Sequence, residues 1–214
     1  MIKILLIDDH AIIRKGLKMY IKKMIPHAET DEAVDGDSAF IKIKQHDYKL
    51  IVLDVNMPGT DSSSLMTNIL AVKPQANILI FSMNAEEGYA RRYLQLGAKG
   101  YISKTAEPDE IGVAITTVLA NKKYISPALK MSFAEEVIDK KKKADNPFDE
   151  LSPREFEIVQ HMIKGESPAE ICNQLNLHSS TVATHKARIF QKLNCKNVLD
   201  IIALAKLYHV TTVF

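Results

Sequence analysis

Four consecutive apolar residues, Leu50 to Leu53, run straight into Asp54 and then into Asn56, Met57, Pro58 and Gly59. A short unbroken apolar run closed by turn residues is what a strand buried on both faces requires, and such strands belong to parallel sheets. In these sheets ligands gather at the carboxyl ends of the strands, which is where Asp54 stands. Two readings of that carboxylate are open: a turn-initiating Asp ahead of Pro-Gly, or a nucleophile that accepts a phosphoryl group.

The pattern recurs on either side. Ile2 to Ile7 ends in Asp8-Asp9, Ala28 to Val34 is a weaker strand, Asn77 to Ser82 is a third buried one, and Lys99 to Ile102 a fifth. Between them, apolar residues at helical spacing predict helices over Ala11 to Met24, Ser38 to Gln45, Ser64 to Val72, Glu86 to Leu96 and Glu107 to Leu119. Pro74 stops the third, Gly97 closes the fourth and Pro108 opens the fifth. Strand and helix alternating five times predict a (βα)5 doubly wound parallel sheet, flavodoxin-like, with helices on both faces.

This topology brings Asp8 and Asp9, Asp54, Ser82 and Lys104 to one edge of the sheet, each just past a different strand. Taken singly they read as a helix cap, a turn hydroxyl and a solvated lysine; together they suit phosphoryl transfer to Asp54. Three carboxylates in one crevice repel each other, and Mg²⁺ takes hard oxygen ligands of this kind. Asp9 and Asp54 are the expected direct ligands, with Asp8 at or behind them and the Asn56 carbonyl available. Lys104 would neutralise charge on the transferring group and Ser82 would donate to a phosphoryl oxygen.

LLIDDH, VLDVNMPG, FSMN and GYISK together resemble the receiver domain of bacterial two-component response regulators, over roughly residues 1 to 120. The resemblance implies that Asp54 takes phosphate from a sensor histidine kinase and that Ser82 and Tyr101 form the switch pair. It departs from the family at Ser62, where glycine is usual after Asp61, and Asn84 stands at a position that influences dephosphorylation.

The chain's 214 residues suit one medium and one small domain. The expected bounds are 1–124 for the receiver, 125–147 for a linker and 148–214 for a second domain. Within the linker a short helical patch, Phe133 to Ile138, precedes Lys140 to Lys143. That lysine run reads as a nucleic-acid arm or, flanked by Glu135, Glu136, Asp139, Asp145 and Asp149, as a solvated linker, the reading adopted. Cys172 and Cys195 show no metal-ligand spacing and fit a reducing compartment. No apolar run approaches the ~20 residues of a membrane span, and Met1-Ile2-Lys3 enters a strand with no signal-peptide pattern. The expectation is a cytoplasmic protein without membrane contact.

From Leu151 the pattern is all helical. Ser152-Pro153-Arg154-Glu155 and Ser167-Pro168-Ala169-Glu170 are capping boxes with proline at the first helical position. They open helices to Ile163 and Leu175. A third helix runs from Ser179 or Ser180 to Leu193, and Asn197 caps a fourth, Val198 to Tyr208. This is a four-helix unit containing a helix-turn-helix, or a plain four-helix bundle. Charge favours the former: between Glu170 and Asp200 there is no Asp or Glu, but there are His178, His185, Lys186, Arg188, Lys192 and Lys196. The net charge of the whole chain is only +2, so this local footprint carries the argument. Val182, Ile189 and Leu193 share the core face of the third helix. Ala183, Thr184, Ala187, Arg188 and Gln191 face outward on the DNA-binding side: Thr184 and Ala187 suit a thymine methyl, Arg188 a guanine or a phosphate, and Ser180, Thr181, Lys186 and Lys192 are placed for phosphates.

LSPREFEIV, the GES-P-AEI segment and TVATHKARIFQKLN resemble the LuxR-type helix-turn-helix of the NarL/FixJ branch. The family usually has lysine where this chain has Ala183, so one customary DNA contact is missing. The resemblance implies dimerisation through the fourth helix, with Val198, Ile201, Ile202 and Ala205 as candidates. The combined expectation is no enzyme but a phosphorylation-dependent transcription regulator. Its partners are double-stranded promoter DNA, a cognate sensor kinase and a second copy when phosphorylated or DNA-bound. Two rivals are a Mg²⁺ phosphohydrolase with an aspartyl-phosphate intermediate and a DNA-binding protein whose receiver ignores phosphate. The split of the carboxylates between strands 1 and 3 speaks against the first, and the complete polar set against the second.

Overall fold

The computed structural model of the chain describes residues 2–83, 86–131, 146–208 and 210. The helical patch Phe133 to Ile138, the lysine run Lys140 to Lys143 and Asn84 lie outside them. The chain divides into two compact units, residues 1–134 and 135–214.

In the first unit the five strands are β1 (Ile2–Ile7), β2 (Ala28–Ala33), β3 (Leu50–Leu53), β4 (Ile78–Ser82) and β5 (Gly100–Ser103). They pair in parallel in the order β2-β1-β3-β4-β5. The helices are α1 (Ala11–Met24), α2 (Gly36–Gln45), α3 (Ser62–Val72), α4 (Glu86–Gln95) and α5 (Pro108–Leu119). Ile4 to Ile7 of β1 and the apolar residues of β3 and β4 are buried on both faces, as continuous apolar runs require. Ile4, Leu6, Leu50, Val52, Leu79, Phe81 and Ile102 pack on Leu17 and Ile21 of α1 and Ala114, Ile115 and Val118 of α5.

Helix starts come earlier than apolar spacing predicts, because acidic caps set them. Asp35 accepts the Ser38 N–H and starts α2 at Gly36; Asp61 accepts from the N–H groups of Ser63 and Ser64 and starts α3 at Ser62. Gly97 stands at φ +113°, and behind it the Ala98 N–H reaches the Tyr93 carbonyl, the Schellman closure of α4. After β5 the chain stays against this unit: Tyr124 bridges to Gly100, and Ser126 and Leu129 are buried.

The second unit opens with a 3-10 turn, Pro147–Glu150, followed by α6 (Pro153–Ile163), α7 (Pro168–Leu175), α8 (Ser179–Leu193) and α9 (Val198–Leu207). Ser152, Ser167 and Asn197 each form a complete capping box with the acidic residue three positions on. Asn176 and Asn194 end α7 and α8 in the left-handed region, φ +48° and +51°, which asparagine tolerates best after glycine. The Asn176 cap turns the chain sharply into α8 and completes the helix-turn-helix.

Candidate phosphoacceptor crevice and nucleic-acid interface

Strand register builds the crevice. Ile7 of β1 is level with Leu53 of β3, so Asp8 and Asp54 leave the sheet side by side. The Asp54 N–H reaches the Ile7 carbonyl at 2.8 Å and the Asp8 N–H reaches Ala33 at 3.2 Å. Both carboxylates are almost wholly buried, Asp54 at 1% exposure and Asp8 at 3%. Lys104, just past β5, lies between them, its Nζ 2.7 Å from Asp8 Oδ2 and 2.8 Å from Asp54 Oδ2. The other Asp54 oxygen accepts the Asn56 N–H at 3.1 Å.

Burial pushes the Asp54 carboxyl above its ordinary range, and the Lys104 ammonium offsets only part of that. Burial alone would lower Lys104, but Asp54 and Asp8 together hold it above the usual lysine value. The crevice thus keeps a desolvated carboxylate beside a charged ammonium. Ligand atoms of Asp8, Asp9, His10 and Asp54 all lie within 4.8 Å of one another, so the donor set suits a divalent cation. Spacing did not single out His10, whose ring nitrogen sits 2.8 Å from Asp9 Oδ1. Ser82 ends β4 fully buried, its carbonyl accepting the Lys104 N–H at 2.8 Å. Tyr101 is fully buried two pairs earlier, opposite Ile80, with its ring 6.3 Å from that of Tyr93.

Three further residues brace the crevice. Arg14 of α1 donates from Nη1 to the Asp8 carbonyl at 2.7 Å and from Nε to Glu32 at 3.1 Å, fixing the loop that carries Asp8 and Asp9. In sequence it looks like one more basic residue among lysines. On the other side Ser62 donates to the Val55 carbonyl at 3.0 Å, and the Thr60 hydroxyl accepts the Gly36 N–H at 3.1 Å. The turn just before them, closed by the Thr60 N–H on the Met57 carbonyl, has Gly59 at φ +71° after Pro58, the type II arrangement.

In the second unit Val182, Ile189 and Leu193 are buried, while Ser180, Ala183, Thr184, Ala187 and Arg188 are exposed on the opposite side of α8. Thr181 and Lys186 are half-buried, and Lys186 Nζ lies 5.5 Å over the Phe190 ring. Lys192 departs from its expected place as a phosphate anchor. Its ammonium donates to Glu155 Oε2 at 2.7 Å and to the Glu150 carbonyl at 3.1 Å, tying the end of α8 to the start of α6. Glu155 is buried and holds a capping box, so an unpaired carboxylate there is costly and draws the lysine inward. The proposed dimer face also needs correction. Ile201 and Ala205 are 0% and 1% exposed in the core of their own unit. Val198 and Ile202 are half-buried, and Leu199 is the exposed apolar residue of the first turn.

Comparison with known proteins bears on both units. Residues 4–144 match the response regulator receiver domain, and residues 149–205 match the bacterial regulatory proteins of the luxR family. The oxygen regulatory protein NreC of Staphylococcus carnosus is 34% identical over 208 residues, 95% of this chain and 96% of the relative. The response regulator UvrY of Escherichia coli is 30% identical over 205 residues, 96% and 94% of the two chains. Among solved structures, a LuxR-family two-component response regulator from Aurantimonas is 31% identical with TM-score 0.59, covering 64% of this chain and 97% of that one. RcsB of Salmonella enterica serovar Typhimurium, bound to promoter rprA with the phosphomimetic BeF3−, shares the fold at TM-score 0.63 and 21% identity, covering 95% and 97%. No described helix is long and apolar enough to cross a membrane. A receiver sheet with its acidic crevice, followed by a luxR-type helix-turn-helix, places the chain among the two-component response regulators of the NarL/FixJ family.

Proposed function

We propose that Asp54 accepts a phosphoryl group from the phosphohistidine of a sensor histidine kinase, and that this modification sets how tightly α8 grips promoter DNA. The observation that carries the proposal is a wholly buried carboxylate at the end of β3 with an ammonium 2.8 Å away and Asp8 beside it. In the transfer an Asp54 oxygen attacks phosphorus, and the new O–P bond forms as the N–P bond to the kinase imidazole breaks. The imidazole nitrogen keeps that electron pair. Lys104 faces the negative charge of the equatorial oxygens, and Asn56, by donating to Asp54, aims the carboxylate. Asp8, Asp9 and Asp54, with the Asn56 carbonyl, would hold Mg²⁺. When bound, such an ion neutralises the clustered carboxylates and polarises the phosphoryl oxygens.

Afterwards the acceptor carries roughly −1.5 to −2 charge and three strong acceptor oxygens. Ser82, at the neighbouring strand end, donates to one of them, and the buried Tyr101 is the second member of the switch. The downstream event is receiver dimerisation, release of the DNA-binding helices, or both, with Val198 and Ile202 of α9 available to a dimer. The receiver, with the buried Ser126 and Leu129 still packed on it, is followed by a linker and the DNA-binding domain 148–214, in the cytoplasm. The test measures affinity of the full chain for duplex DNA with and without a small acyl phosphate donor and Mg²⁺, in wild type and Asp54→Asn. The donor is expected to shift wild-type affinity and leave Asp54→Asn unmoved. An equal response from both proteins overturns the proposal.

A further inference from the structure

We infer that α8 reads the 5-methyl groups of thymine, so that the duplex it selects carries thymines along the major-groove edge it faces. The inference rests on the DNA-binding function above and names the chemistry of the base contacts. Beyond the exposed Ser179 and Ser180 at its start, the exposed residues of α8 up to Phe190 are Ala183, Thr184, Ala187 and Arg188, on the portion of a recognition helix that meets base edges. Two of these side chains are single methyl groups without donor or acceptor. The third is polar in name only. Thr184 Oγ1 donates to the Ser180 carbonyl one turn back, at 2.9 Å, and a hydroxyl has one hydrogen to give. What it can present to a base is a methyl group and an oxygen limited to accepting.

Three methyl-bearing side chains on adjacent turns form a small apolar surface, with the Arg188 guanidinium at its edge. In the major groove the apolar feature of the base pairs is the thymine 5-methyl. Meeting an adenine or cytosine amino group with Ala183 or Ala187 would leave a buried donor unsatisfied. Apolar contact with thymine carries no such penalty and removes the methyl from water. Arg188 is the one side chain of the four suited to a guanine edge or a phosphate, so it brackets the apolar patch.

The experiment uses the full chain, phosphodonor-treated. Duplexes are selected from a random library, and the preferred one is resynthesised with deoxyuridine in place of each thymine in turn. This change removes one methyl and leaves every hydrogen-bonding group in place. Uracil under α8 is expected to weaken binding about fourfold per contacted methyl, the factor equivalent to ~0.8 kcal/mol for one buried carbon. Thr184→Val, which keeps the methyl and loses the hydroxyl, should preserve the discrimination. Thr184→Ser, which does the reverse, should lose it at the position Thr184 faces. Equal binding of thymine and uracil duplexes overturns the inference while leaving DNA binding intact. So does loss of preference in Thr184→Val with retention in Thr184→Ser, which would make the oxygen the reader. Failure to select any duplex overturns both this inference and the function it rests on.

Discussion

Replacing Lys192 by Met removes the ammonium that sits 2.7 Å from Glu155 Oε2 and 3.1 Å from the Glu150 carbonyl, and keeps most of the aliphatic stem. Breaking a fully buried ion pair costs about 3–5 kcal/mol, whereas an exposed pair is worth at most about 1 kcal/mol. This pair is mixed: the Glu155 side chain is 4% exposed but that of Lys192 is 37%, so water screens one end. Glu155 also keeps the Ser152 N–H at 2.9 Å. A loss of about 2 kcal/mol follows, equivalent to roughly thirtyfold faster opening of the unit. Amide hydrogen exchange on the full chain should show that acceleration across α6 and α8. The double variant with Glu155→Gln should recover part of it, since the two losses share one interaction. A lysine committed inward should also leave the salt dependence of DNA binding nearly unchanged. If exchange stays at the wild-type rate while the slope of log affinity against log salt falls by about 0.9, Lys192 is a phosphate anchor and the pairing argument is wrong.

Other consequences follow from single contacts. Burial alone would raise the Glu155 carboxyl, but Lys192 and Ser152 hold it below the usual range. The associated stability is therefore present above about pH 4.3 and lost as pH falls through the lower folded value; Glu155→Gln should flatten this part of the pH profile, and an unaltered profile would contradict it. Gly16 lies mid-helix in α1, and a Cβ added there meets nothing within 4 Å. Gly16→Ala should raise receiver stability in urea by about 1 kcal/mol, and a lower midpoint would show the open space is needed. Ser62→Ala removes the donor to the Val55 carbonyl and should cost about 1 kcal/mol. Faster exchange is expected around the loop after β3, and no change there would show that the hydroxyl is idle.

The sequence disclosed most where one residue type has one cheap solution. The apolar run into Asp54, the two Ser-Pro capping boxes and Asn197 each state their structure locally, and the strand-end rule then gathers Asp8, Asp54, Ser82 and Lys104. What it concealed were side chains whose role depends on a distant partner. Arg14 is one cation among several on α1 until the fold brings it to the Asp8 carbonyl and Glu32. Lys192 counts toward the basic footprint until Glu155, far away in sequence, claims it. Ile201 and Ala205 share helical spacing with Val198 and Ile202, and spacing alone does not say which side of a short helix meets its own core. Thr60 and Ser62 read as turn residues, yet both are buried and bonded to backbone that flanks the crevice.

The most direct test is peptide mapping by mass spectrometry after the full chain is incubated with a small acyl phosphate and Mg²⁺. One phosphoryl group is expected, on the peptide containing Asp54, absent from Asp54→Asn and strongly reduced without the metal. A wild-type chain that stays unmodified, or that carries the group on another residue, would contradict the assignment of this crevice as the phosphoacceptor site.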